Sequence, residues 1–334
     1  MENKTVYSAT LTAGQESQKK AVQRTGVLSC TLVLIVAAVT NLGTFLLGQL
    51  EKAGVGANLS AGMQIFFQNY FIYFIADAAA ILFGISFFGK MRRNKGKEKT
   101  LGSDKKLWCF GILAAPGVSI IGAQLWQLCT LPAALSTQQT TDSTSALPYG
   151  ELAPMILIGV YCCLVAPILE EIIFRGLIQR AMEPYGAMTA ILTSTLCFVL
   201  FHFNPEQFFT PLLMGVFAGF LAYHSRSVVP CIAAHILNNI LALLPEFLAK
   251  PGTAPYTALS TVFDTVSMAL GLLFLVMFAC EFGKNFLALR HVELEQTGCT
   301  TAQKMRKVIC NPTIVFLFLL YLAQSVWLVY QTVR

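Results

Sequence analysis

The sequence predicts an all-α fold, a polytopic transmembrane helix bundle of about eight to nine spans. Of its 334 residues, 55% are hydrophobic and only 12% are charged, whereas a soluble domain carries about a quarter charged residues. Apolar stretches of about 20 residues, the length that crosses a bilayer, recur along the whole chain. Basic residues gather in alternate loops between these stretches. Together these features exclude an ordinary soluble domain.

The apolar stretches can be placed in order along the chain by this length rule. They cover 27–50, 66–89, 107–131, 154–184, 187–203, 208–224, 229–248, 257–280 and 312–332. The first has no small-residue cleavage site behind it and is longer than a signal-peptide core, so we expect it to be a permanent span. The polar residues 1–26 before it then form a leader that stays attached.

The basic residues predict the orientation of the bundle. They lie before the first stretch, between the second and third, and after the eighth, whereas the 132–153 loop has no Lys or Arg. With alternating spans, every basic loop falls on one side, which the positive-inside rule makes cytoplasmic. We therefore expect a cytoplasmic N-terminus, and the net charge of +6 is explained by topology rather than by nucleic-acid binding.

Chemistry is concentrated in residues 151–248, which we take as the catalytic core. The N-terminal transmembrane helices, 27–150, and the C-terminal supporting helices, 257–334, hold only scattered polar positions. Ionisable groups at membrane depth are costly and by default functional. Those of the core are Glu170, Glu171, Arg175, His202 and His235.

The segment PILEEIIFRGLIQR places two carboxylates side by side. Glu170 and Glu171 point about 100° apart around a helix, so they cannot do the same job. Glu171 and Arg175 have the i,i+4 spacing at which a carboxylate pairs with a guanidinium. Glu170 has no such local partner, which makes it the candidate general base. We expect Glu171 and Arg175 to hold it in position.

Two further segments carry polar side chains at helical spacing. FVLFHF places Phe198 and His202 on one helix face, and HILNN does the same for His235 and Asn239. A glutamate, two histidines and an amide supply the water activator, the acid and the oxyanion donors of peptide hydrolysis.

Helix lengths predict that these groups meet. Glu170 and His202 each lie roughly 22 to 24 Å of helix from the turn at 184–186, so antiparallel helices joined there bring them level. Gly215 and Gly219 form a GxxxG pair that permits close helix packing on the intervening helix.

The same residues are also compatible with a metal site. Glu170, His202 and His235 fit three zinc ligands with a fourth position for water. We favour a mechanism without a cofactor, and zinc is the alternative. The sequence has no glycine-rich phosphate loop, so we expect no bound nucleotide.

The ordered motifs EExxxR, FxxxH and HxxxN resemble the CAAX prenyl protease type 2 and bacteriocin-processing family, called CPBP or Abi proteins. The stretch GVFAGFLAYHSRSVVPCIAAHILNN is similar to that family's third motif region. The resemblance covers roughly residues 150–248. It implies an intramembrane endopeptidase in which Glu170 is the base and Glu171 and Arg175 assist.

The resemblance also assigns the remaining residues. His202 and His235 match the family's histidines, and Asn239 matches the asparagine of its oxyanion site. It implies a peptide or membrane-protein substrate in contact with membrane lipid, and no nucleic acid. Bacterial members are proposed to act in bacteriocin maturation or self-immunity, so we expect a bacterial plasma membrane protein.

Two other functions compete with the protease. A catalytically silent immunity scaffold would be expected to have lost a motif residue, and this chain keeps them. A proton-coupled transporter also uses glutamates and histidines at midplane, but the paired repeats typical of transporters are not seen in the sequence. Two lone membrane acids, Asp77 and Asp264, have no partner of matching depth in sequence, and we assign them to packing or snorkelling.

Overall fold

A computed structural model of the chain describes residues 2–88, 104–134 and 147–333, and every regular element in these ranges is helical. Most of the predicted basic 89–106 loop and the centre of the 132–153 loop lie outside them. Ten helices follow in order. They are α1 (Glu2–Lys52), α2 (Ala61–Phe88), α3 (Lys105–Ala134), α4 (Leu152–Tyr185), α5 (Ala187–Phe201), α6 (Phe209–Ser225), α7 (Val229–Leu248), α8 (Ala254–Thr297), α9 (Thr301–Ile309) and α10 (Pro312–Val333).

The predicted polytopic helix bundle is confirmed. Among the described residues, 7 helices are long and apolar enough to cross a membrane, or 8 if the pair α9 and α10, bent by 66°, forms one span. The predicted 187–203 stretch forms α5, whose 15 residues rise by about 22 Å against a hydrocarbon core of about 30 Å. This stretch is therefore a helix of the bundle that is too short for a full crossing.

Contacts between distant residues identify one end of the bundle. Lys106 at the start of α3 pairs with Glu281 of α8 at 3.1 Å. Lys304 of α9 donates to the carbonyl oxygen of Tyr185 at 2.6 Å, and the hydroxyl of Tyr185 lies 3.1 Å from that of Thr25. The chain segments next to the predicted basic loops therefore meet at the same end, as the charge pattern requires. Which side of the cell this end faces stays a prediction.

Small residues allow α6 to pack closely on its neighbours. A Cβ atom on Gly215 would lie 2.7 Å from Thr195 of α5, and one on Gly219 would lie 2.9 Å from Ile191. The side chain of Gln179 in α4 donates to the carbonyl oxygen of Gly219 at 2.8 Å. The GxxxG pair thus permits the close packing that the sequence predicts, and it ties α6 to α4 beside the polar core.

Helix α4 changes its winding twice. It is π-helical at Tyr161–Val165 and again at Ile172–Gln179, with α-helical residues Ala166–Glu171 between them. A π-helical turn shifts the direction of the side chains that follow it and is frequent at functional sites. The two predicted carboxylates lie at the end of the α-helical segment between these two stretches.

Candidate active site

Glu170 and Glu171 diverge from α4 as their sequence positions predict. The Glu171 side chain is almost completely buried, with an exposed fraction of 2%, whereas that of Glu170 is 14% exposed. A buried carboxylate requires charge partners, and a partly exposed one can meet a ligand. The two glutamates therefore have different surroundings, although they are adjacent in sequence.

Glu171 contacts two cationic or ionisable side chains. Its Oε1 lies 3.2 Å from a terminal nitrogen of Arg175, one helical turn later, and it accepts a hydrogen bond from Nδ1 of His235 at 3.1 Å. The Arg175 contact has the distance of an ion pair, but its N–H directions do not meet the geometry of a hydrogen bond. The predicted pair is present, and Glu171 also holds a histidine from α7.

His235 connects the two glutamates. Because its Nδ1 donates to Glu171, its other ring nitrogen, Nε2, faces away from that bond and lies 3.9 Å from Oε2 of Glu170. A histidine bonded through one nitrogen is fixed in the orientation of its ring. The candidate base therefore lies next to an oriented imidazole rather than next to the guanidinium.

Phe198 of α5 contacts the polar side chains of the site with its ring. Its centroid lies 4.5 Å from the guanidinium carbon of Arg175, 4.8 Å from the ring of His202 and 6.2 Å from that of His235. A cation over an aromatic face is stabilised when both are removed from water. Phe198 is a site residue that our sequence assignment left out, although the FxxxH spacing contained the signal.

His202 is fixed at the end of α5. Its Nδ1 donates to the carbonyl oxygen of Phe198 at 2.8 Å, which leaves Nε2 to meet a water or a substrate. The next residue, Phe203, has φ of 47°, a left-handed conformation that is strained for a phenylalanine. Tyr321 of α10 donates to the carbonyl oxygen of Asn204 at 3.0 Å. The turn after His202 is therefore tied to the last helix.

Asn239 faces α4 from one turn below His235. Its amide nitrogen donates to the carbonyl oxygen of Cys162 at 2.9 Å, and its amide oxygen accepts from Asn238 at 3.2 Å. Cys162 belongs to the first π-helical stretch of α4, where altered winding changes the backbone pairing. Asn239, rather than Asn238, contacts the helix that carries both glutamates.

Asp77 of α2 also belongs to this region. Its exposed fraction is 1%, and its Oδ1 has no hydrogen-bond partner among the described residues. It interacts electrostatically with Glu170 and Tyr161 of α4. The burial of Asp77 contradicts the snorkelling part of our assignment, and the ionisable groups with which it interacts on α4 come from another helix. Asp264, in contrast, is exposed on α8.

The residues fit the predicted zinc alternative poorly. Within the described parts of the chain, no three His, Cys, Asp or Glu side chains converge to hold one ion. Of the predicted set Glu170, His202 and His235, the two histidines each use Nδ1 for a protein hydrogen bond, an arrangement that is compatible with metal binding through Nε2. Because no third ligand converges with Glu170 and His235 among the described residues, the three protein ligands that a catalytic zinc requires are not brought together.

Comparison with known protein families supports the same region. The family model described as type II CAAX prenyl endopeptidase Rce1-like matches residues 152–241. This stretch lies inside the predicted 151–248 core and contains its six candidate residues. No curated protein and no solved structure matches the chain significantly. Residues 152–241 of this helical membrane protein are therefore similar to the Rce1-like type II CAAX prenyl endopeptidases, and the similarity points to an intramembrane endopeptidase.

Proposed function

We propose that this chain hydrolyses a peptide bond within the membrane with Glu170 as the group that activates water. The observation that carries the proposal is the position of His235 between Glu170 and Glu171. Glu171 is occupied by Arg175 and His235, whereas Glu170 keeps some exposure and has an oriented imidazole beside it. A general base needs this combination of accessibility and fixed geometry.

The proposed reaction begins with proton transfer from water to the Glu170 carboxylate. The water oxygen attacks the scissile carbonyl carbon, and the electron pair of the C=O bond moves to the oxygen. When the tetrahedral intermediate collapses, the C–N bond breaks and Glu170 passes its proton to the leaving amine. With both ring nitrogens protonated, His235 attracts the Glu170 carboxylate 3.9 Å away and keeps it oriented, and Glu171 keeps the His235 ring oriented.

His202 and Asn239 have positioning and electrostatic roles in this proposal. His202 carries its hydrogen on Nδ1, where it donates to Phe198, so Nε2 accepts a hydrogen bond from the attacking water. The amide of Asn239 has two N–H groups. One donates to Cys162, and the other donates to the oxyanion, the interaction that most lowers the barrier of acyl transfer.

The substrate we propose is an extended segment of a peptide or membrane protein that enters the site from the bilayer. Residues around Glu170 on α4 are apolar and exposed at the helix surface, including Leu164 and Ile168. Such a surface meets lipid or an apolar peptide. A role in bacteriocin maturation or self-immunity rests on the sequence resemblance alone and stays a prediction.

The test is cleavage of quenched-fluorescent membrane peptides by the purified protein in proteoliposomes. We expect the wild type to cut, and Glu170→Gln to lose about 10²- to 10⁴-fold in kcat/KM because it cannot accept the proton. Glu281→Gln is the matched control, since it removes a glutamate from an exposed ion pair far along α8. Equal cleavage by Glu170→Gln and wild type would refute the assignment of the base.

A strong chelator separates the two mechanisms in the same assay. Retained activity after dialysis against the chelator agrees with a glutamate-activated water. Lost activity that returns with added zinc would contradict the proposal and favour a metal-bound water.

A further inference from the structure

Helix α2 contributes a carboxyl group to the core of the matched region although it lies outside that region. Asp77 is 1% exposed, and its Oδ1 has no hydrogen-bond partner among the described residues. An unsatisfied buried polar atom costs about 1–3 kcal/mol. Of the two lone membrane acids in the sequence, only Asp77 is buried, because Asp264 is exposed on α8. The burial of Asp77 therefore requires a reason beyond packing.

The packing of α2 on α4 directs Asp77 toward the glutamates. The ring of Tyr70, in the π-helical stretch of α2, meets that of Tyr161, in the first π-helical stretch of α4, with centroids 5.8 Å apart. Farther along, a Cβ on Gly84 of α2 would lie 2.6 Å from Leu177 of α4. Asp77 lies between these two contacts along α2, at the level of Glu170.

The groups that face Asp77 are acids and phenols. Tyr73 lies one turn earlier on α2, and Tyr161 and Glu170 come from α4. The cationic groups of the site, Arg175 and His235, pair with Glu171, and His235 also lies 3.9 Å from Glu170 on the side away from Asp77. Two carboxyl groups that interact at low dielectric cannot both ionise readily, so they hold one proton between them.

We propose that Asp77 is a positioning residue for Glu170, and that the two carboxyl groups share one proton directly or through a water molecule. The shared proton occupies the otherwise unpaired oxygen of Asp77 and fixes the Glu170 carboxyl group on the side opposite His235. Glu170 is then held from two sides, by an imidazole of α7 and by a carboxyl group of α2. The inference rests on the proposed role of Glu170 as base and adds a residue from outside the matched family region.

The kinetic test compares Asp77→Leu, Asp77→Asn and Asp77→Glu with the matched control Asp264→Asn in proteoliposomes. Loss of a residue that orients a catalytic group costs about 10- to 100-fold in activity. We expect this loss in kcat for Asp77→Leu with KM unchanged, and a smaller loss for Asp77→Asn, whose amide still donates a hydrogen bond. We expect partial recovery in Asp77→Glu and no change in the control. Activity of Asp77→Leu within twofold of wild type would overturn the proposal.

A second measurement does not depend on proteolysis. Infrared difference spectroscopy of the purified protein without substrate detects the C=O stretch of a protonated carboxyl group. We expect one such band that is shifted or lost in both Asp77→Asn and Glu170→Gln but unchanged in Asp264→Asn. A band that responds to Glu170→Gln and not to Asp77→Asn would contradict the shared proton. Because this readout requires no cleavage, failure of the protease proposal and failure of the Asp77 proposal are distinguishable.

Discussion

Glu171 and His235 lie 64 positions apart in the chain and are joined by a hydrogen bond of 3.1 Å between α4 and α7. This bond connects the buried Glu171–Arg175 pair to the side of the site where Glu170 lies. Glu171 is therefore held by buried partners, whereas the side chain of Glu170 stays partly exposed.

Replacement of Glu171 by Gln should destabilise the protein. Arg175 is fully buried, and the substitution leaves its charge without a counter-ion, which costs about 3–5 kcal/mol. We expect a matching decrease in the free energy of unfolding, measured by denaturant titration in detergent micelles. Glu281→Gln removes a glutamate from the exposed pair with Lys106, where a loss of about 0–1 kcal/mol is expected. Equal losses in the two variants would contradict the buried pair.

Phe198→Leu should reduce activity by more than the variant's loss of stability explains. The ring lies 4.5 Å from the Arg175 guanidinium and contacts both histidines, and a buried cation–π contact contributes about 2 kcal/mol. Phe217→Leu is the control, because its ring packs on Phe278 of α8 instead. We expect a lower unfolding midpoint for both variants but a lower kcat only for Phe198→Leu. An equal kcat would show that the ring only fills space.

Asn239→Ala and Asn238→Ala should differ although the residues are adjacent. Asn239 bonds the Cys162 carbonyl group of α4, whereas Asn238 bonds only the Asn239 side chain among the contacts seen here. Loss of an oxyanion donor costs about 10²- to 10³-fold in kcat. We expect that loss for Asn239→Ala and a small effect for Asn238→Ala in the peptide-cleavage assay. A larger loss of kcat for Asn238→Ala than for Asn239→Ala would contradict the assignment of Asn239 to the oxyanion site.

Gly219→Leu should loosen the core by overpacking. An added Cβ at this position would meet Ile191 at 2.9 Å and Gln179 at 3.0 Å, and overpacked cores lose about 1–3 kcal/mol. Gly283→Leu is the matched control, because a Cβ there has nothing within 4 Å. Thermal unfolding in micelles should show a lower midpoint for Gly219→Leu only. A lowered midpoint in both variants would contradict a packing effect specific to Gly219, because Leu has a higher helix propensity than Gly and the Gly283 position is open.

Much of the bundle and part of the site follow from local sequence. The i,i+4 spacing predicts the Glu171–Arg175 pair, which forms although Arg175 lies in a π-helical stretch. The expected matching depth of Glu170 and His202 stays a prediction. The helical class follows from apolar stretch lengths, although α5 is too short for a full span.

The remaining parts depend on tertiary packing. The bond between His235 and Glu171, the packing of α2 on α4 and the contacts of Phe198 all join different helices. Local spacing contains no information about how α2 or α7 rotates against α4. The π-helical stretches of α4 change this rotation further, and their positions have no clear mark in the residue pattern.

The most direct measurement is cleavage of a defined membrane peptide in water enriched in ¹⁸O, with the products identified by mass spectrometry. Hydrolysis by an activated water should place one ¹⁸O atom in the new C-terminal carboxyl group during a single turnover of the wild-type protein. Glu170→Gln should yield almost no labelled product, and Glu281→Gln should behave as wild type. Labelled product formed equally well by Glu170→Gln, or cleavage without label, would contradict a water activated by Glu170.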